Sequence, residues 1–145
     1  MEHKEELERI KCLLFRLIDA IHLEGQYDTV EKKCEDFNFA KAVCELAHEE
    51  QDLCMWSIQC ILENILPKEK GIFSMMKRSI RFKRREPLRD YYPFNLYIKG
   101  YQKECQEFYC LRKIFNEVGI WYYGKFNSIC GYREHLDVFY IDVEV

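Results

Sequence analysis

The chain has 145 residues, a formal net charge of −3 and an apolar fraction of 48%. Those values exclude a disordered chain, and low-complexity segments and internal repeats are absent. The longest apolar runs fall far short of the roughly 20 residues of a membrane span, so a single compact domain over residues 1–145 is expected, with no membrane partner.

Charge is distributed unevenly. Residues 1–67 carry 7 basic and 15 acidic side chains, a net of −8. Residues 68–89 carry 9 basic and 2 acidic, a net of +7, and residues 90–145 return to −2. Aromatic side chains gather late, 15 of the 22 lying beyond residue 89. The expected organisation is an acidic helical part (1–67), a basic connecting segment (68–92) and a long helix followed by a small sheet (93–145).

Eight cysteines are present. Residues Met1–Arg9 are acidic and lack the basic start and apolar run of an export signal, so a cytoplasmic or nuclear protein is expected, not a secreted one. In that setting the thiols stay reduced. Cys12, Cys34, Cys44, Cys60 and Cys105 sit in helical patterns at or near core-facing positions, where a free thiol packs as a small apolar group.

In chain order, Glu2–Leu23 predicts an amphipathic helix. Ile10, Leu13, Leu14, Leu17, Ile18 and Ile21 recur at spacings of three and four, which lines them along one stripe. Gly25 is a natural stop. Asp28 followed by Glu31 resembles a capping box and predicts the start of a second helix. The polar run His48–Asp52 predicts a break, because unbroken helices near 39 residues are rare in small domains. Leu53–Leu66 is apolar almost all round, which predicts a helix at the centre of a bundle, ended by Pro67.

Lys68–Asp90 is the basic segment. Ile72, Met75, Met76 and Ser79 would share a helical face, whereas Ser79–Lys83 alternates as a strand does; both conformations fit residues 72–85. Pro93 suits a helix start, and Phe94, Tyr97, Tyr101, Cys105, Phe108, Arg112 and Phe115 predict a helix up to Val118, with Gly119 closing it. The period then changes to two. Ile120–Phe126 and Phe139–Val145 predict two strands, with a short third at Ile129–Tyr132. The expected fold is mainly α (α+β): a four- to five-helix bundle followed by a small C-terminal antiparallel β-sheet.

Lys77, Arg78, Arg81, Lys83, Arg84, Arg85 and Arg89 fall within 13 residues. Clusters of this kind suit phosphate-rich partners, because each phosphate contact releases a counterion and the field steers association. A nuclear import signal, an acidic protein surface and a solvated basic face fit the same residues. If Ile120 and Tyr122 face a core, Trp121 and Tyr123 face outward, where such rings serve as binding hot spots or stack on bases.

Metal and nucleophile patterns are weaker. Cys44 and His48 share a helix face. Cys105 and Cys110, and Cys130 and His135, stand too far apart for the tight spacing of a zinc site. Glycine-rich phosphate loops and hydrolase motifs are missing. The sequence therefore predicts a non-catalytic intracellular interaction subunit without metal or cofactor. It would have a protein partner and an anionic partner, nucleic acid leading, held by residues 77–89. A direct RNA- or DNA-binding protein, and a small enzyme with a cysteine or zinc site, are the alternatives.

Overall fold

A computed structural model describes residues 2–33, 37–70, 78–84, 91–102, 104–118, 120–122 and 138–144. The order of elements is α1 (Lys4–Lys33), α2 (Phe37–Ile65), β1 (Ser79–Arg84), β2 (Tyr91–Lys99), α3 (Gln106–Glu117), β3 (Ile120–Tyr122) and β4 (Val138–Glu144). The protein is mainly helical with a small antiparallel sheet. Among the described residues there are three helices, fewer than the four or five anticipated.

Helix α1 follows the apolar period to its end. Leu7, Ile10, Leu14 and Leu17 are buried on the stripe that faces α2. It continues through Gly25 to Lys33, contrary to the expected stop and to the start expected at Asp28. A helix already docked along its length tolerates one glycine costing about 1 kcal/mol.

Helix α2 is likewise unbroken through the polar run at residues 48–52. Those polar groups do not interrupt the contact between the two helices; they form part of it. Gln51 is fully buried and donates from Nε2 to the Ala20 carbonyl at 3.2 Å and to the Glu24 carboxylate. Arg16 donates from Nε to Glu50 at 2.8 Å. Below this layer Cys54, Ile58, Leu62 and Ile65 are buried, but Leu53 and Trp56 are exposed. The helix therefore flanks the core instead of running through its centre.

Residues 91–99 form strand β2, which overturns the helix expected to begin at Pro93; only its second half exists, as α3. The spacing of Phe94, Tyr97 and Tyr101 is compatible with a helix, but Leu96 and Ile98 are the buried positions, two apart as in a strand. Pro93 lies where the β2–β4 register shifts between Tyr91 and Asn95, an irregularity that accommodates a residue with no N–H to give to the ladder.

The sheet has four strands in the order β1-β2-β4-β3, all neighbours antiparallel. The expected strands near residues 120 and 139 are β3 and β4; Ile129–Tyr132, Cys34, Cys130 and His135 lie outside the described residues. One core joins the layers: Leu14 and Leu17 of α1, Ile58 and Leu62 of α2, Ile80, Leu96 and Ile98 of the sheet, and Phe108, Leu111 and Phe115 of α3. Cys105 caps α3, its thiol accepting the Phe108 N–H at 3.5 Å and donating to the Gln102 carbonyl at 3.3 Å.

The end of α2 is clamped to the end of β2. Glu69 N–H donates to the Gly100 carbonyl at 3.1 Å, and Gln102 N–H to the Pro67 carbonyl at 2.8 Å. Gly100 makes the turn with φ of 81°, and a methyl group there would stand 2.6 Å from Cγ of Arg78. Gly25 has nothing within 4 Å of the same position. The two glycines should therefore respond oppositely to alanine in urea denaturation. Gly100→Ala is expected to cost about 2 kcal/mol from left-handed strain and overlap. Gly25→Ala should add roughly 0.5–1 kcal/mol from helix propensity. Equal effects would refute this account of the clamp.

Candidate anion-binding strand and sheet face

The basic segment supplies strand β1, and its alternation decides which residues are free for a partner. Ile80 is buried opposite Ile98, and Phe82 packs on the core opposite Leu96. Ser79, Arg81 and Lys83 therefore occupy the register positions of the other face. Arg81 is exposed there, opposite Tyr97. The strand lies at one edge of the sheet, and a charged edge also discourages pairing with another chain.

The cross-strand rows carry this face across the sheet. Arg81 pairs with Tyr97, and Tyr97 with Tyr140. Lys83 pairs with Asn95, Asn95 with Asp142, and Asp142 with Trp121. Trp121 thus stands in the same row as Lys83 but on the opposite edge strand, about 14 Å away at three strand spacings. Asp142 holds the register position between them, so along these rows the basic positions lie at the β1 edge and the aromatic positions toward the middle and far edge.

Among the residues expected to bind an anion, Arg78 stands just before β1 and is exposed, and Arg81, Lys83 and Arg84 lie in β1. Arg84 pairs with Phe94 at the strand end. Lys77, Arg85 and Arg89, and the expected interface residue Tyr123, lie outside the described residues. Among the described residues no carboxylate pairs with Arg78 or Arg81. The ion pairs of the helical layer are spent elsewhere: Lys11 with Glu117 at 2.6 Å, joining α1 to α3, and Arg16 with Glu50, joining α1 to α2. Glu117 holds the Lys11 ammonium above its usual range. Arg78 does act on one buried neighbour. Burial, and then Glu63, push the Tyr101 phenol upward, while the Arg78 cation pulls it down.

The interhelical polar layer went unrecognised in the sequence. Glu24 is its hub: it accepts from Gln51 and lies 3.4 Å from Nδ1 of His48, while the Glu24 carbonyl accepts the Cys44 thiol at 3.7 Å. His48 also approaches Asp52 at 3.8 Å. The polar run 48–52 opposite Glu24 was the available signal. Cys44 and His48 do share a face, and both are occupied with Glu24. Among the described residues no group of three or more His, Cys, Asp or Glu side chains converges as an ion would require.

The thiols differ in environment. Cys54 is buried, and desolvation, then Glu50, push it up to about 11 against a weaker opposing effect of Arg16. Burial also raises Cys105. Cys12 is exposed, unlike the core-facing position expected for it.

Comparison with protein-family models, with curated proteins and with solved structures finds no match to this chain.

The thiol environments set an order of reactivity, since the thiolate is the attacking species. In a time course with N-ethylmaleimide near pH 8, read by peptide mass spectrometry, Cys12 should be modified first among the cysteines of the described residues. Cys54 should be slower by about a hundredfold or more, through both its raised pKa and its burial. Rapid labelling of Cys54 in the folded protein would contradict this placement.

Proposed function

We propose that the protein is a non-catalytic interaction subunit that docks a protein partner through its helical layer and an anionic partner, with nucleic acid the leading candidate, through β1 and the residues beside it. The observation that carries this reading is the exposure of Arg78 and Arg81 without a carboxylate partner among the described residues, in a chain whose acidic groups outnumber its basic ones. A solvated cation on a rigid strand is available to a phosphate at little ordering cost. The thiols of buried Cys54 and half-buried Cys105, both raised, disfavour a nucleophile at those positions.

A second reading, direct single-strand binding, is favoured by the rows that put Tyr97, Tyr140 and Trp121 in register with Arg81 and Lys83. Base stacking on such rings contributes about 1–3 kcal/mol each. Under this reading Trp121→Ala weakens binding as much as loss of a cation does. Under the subunit reading the ring contributes little to RNA affinity.

Fluorescence anisotropy with a labelled single-stranded RNA tests the first reading. For about four phosphate contacts, affinity should fall some fiftyfold between about 50 and 200 mM salt. Replacing Arg81, Lys83, Arg84 and Arg85 together with Ala should remove the salt-sensitive affinity and leave the melting temperature within about 2 °C, the result expected where the cations serve a partner and not the fold. An unchanged affinity in that variant would sink the assignment. A collapse in stability would show that the cations serve the fold.

A further inference from the structure

The outward side of α2 is apolar and acidic at once. Phe39, Leu46 and Leu53 recur every seven residues, Trp56 follows three positions after Leu53, and they are 55%, 65%, 51% and 65% exposed. Side chains at that spacing form the seam into which a second helix packs. An open groove between α1 and α2 continues the seam, lined by Leu23 and Leu46 with Asp19 and Glu50 at its rim. Glu45, Glu49, Asp52 and Glu63 are exposed, and their spacing from Trp56 puts all four on its side of the helix. Lys41 is the only basic residue in α2, and the Arg16 guanidinium is committed to Glu50.

We propose that this face is the docking site for a basic amphipathic helix of a partner protein, its apolar stripe seated along Leu46, Leu53 and Trp56 and its Lys or Arg side chains over the acidic row. The inference rests on the reading of the protein as an interaction subunit and names the chemistry of its protein partner. Trp56 is the anchor. A large ring at the centre of a contact is the usual hot spot, and carboxylates around it draw a cation to its π-face. Charge also selects among occupants. Nucleic acid and anionic lipid share the sign of the row and are repelled. A second copy fits badly, because Glu49 lies within the seam between Leu46 and Leu53. Parallel pairing would set Glu49 against Glu49, and either orientation would bring two acidic rows together.

The test uses the full chain and a designed peptide helix of about 21 residues, three heptads, with leucine along one stripe flanked by Lys and Arg. A control peptide carries Glu in place of every Lys and Arg. Anisotropy should show micromolar binding of the basic peptide and none of the acidic one. Trp56→Ala and Leu53→Ala should each weaken binding about tenfold or more, with melting unchanged because both side chains are exposed. Glu45→Lys with Glu49→Lys should shift the preference toward the acidic peptide. Equal binding of the two peptides, or full affinity in Trp56→Ala, overturns the proposal. So does sedimentation showing a dimer that Leu53→Glu dissociates, since the seam would then belong to a second copy. The variant lacking Arg81, Lys83, Arg84 and Arg85 should bind the basic peptide in full. Its RNA affinity, measured on the same sample, reports separately on the basic strand.

Discussion

A helix that carries apolar side chains on two sides needs neighbours on both, and among the described residues α2 has a core on one. At 29 residues it runs about 43 Å, and among the described residues the core formed with α1, α3 and the sheet lies on the side that carries Cys54, Ile58, Leu62 and Ile65. Two consequences follow. The covered side must be registered against α1 without a supply of extra neighbours, and the Gln51–Glu24 and Arg16–Glu50 contacts do this. Among the described residues the other side leaves Leu46, Leu53 and Trp56 exposed, with Phe39 beside them packed edge-on against Tyr27 of α1, an apolar stripe of the kind that marks an interaction surface. Apolar residues contribute to stability only where something buries them, so this stripe has a function or a cost.

The polar layer illustrates why charge and burial cannot be judged separately. A fully buried glutamine is expensive unless its amide is satisfied. Gln51 satisfies its donor twice, through a backbone carbonyl of α1 and through Glu24. Removing Glu24 would therefore leave one fewer acceptor for a buried donor, which raises its cost well beyond that of a surface ion pair. Two parallel apolar stripes can slide by one turn with little penalty; a hydrogen-bonded pair within them admits one register. That register in turn fixes where α2 ends, and so where Pro67 and Glu69 meet Gly100 and Gln102 at the mouth of the sheet.

What could be seen in the sequence followed from local periodicity, and what could not depended on distant partners. The stripe from Leu7 to Leu17, the alternation at Ser79–Lys83 and the strands near residues 120 and 139 are signals carried by neighbouring residues alone. Gly25, the Asp28–Glu31 pair and the polar run at 48–52 all argue locally for helix ends, yet both helices pass through them because docking one long helix on another outweighs about 1 kcal/mol of local preference. Tyr91–Tyr101 satisfies helix and strand periods together. Its two neighbours in the sheet, β1 and β4, decide the matter, and β4 lies some 40 residues downstream. The basic cluster was legible because it is contiguous. The acidic seam of α2 was not, since the same residues read as the surface of a central helix until the structure showed which side was covered.

The two charged regions are best understood as consequences of the layering. Residues 1–67 hold the chain's excess of carboxylates, and residues 68–89, β1 among them, its excess of cations, yet among the described residues the two groups scarcely pair across the layers. Had stability been the use of this charge, Arg78 and Arg81 would stand near Glu45, Glu49 or Asp52, where each pair would contribute a few tenths of a kcal/mol. Instead, among the described residues, Glu45, Glu49 and Asp52 on the outward side of α2 stand apart from Arg81 on β1, and the two regions approach each other only where Glu63 and Arg78 both act on Tyr101. Under the proposed reading, such a separation would favour unlike partners at the two surfaces, because a field that draws a phosphate to β1 would repel it from the carboxylates beside Trp56. Separation of sign within the chain would then supply orientation as well as affinity, which the proposed subunit holding a cationic helix and a polyanion would require.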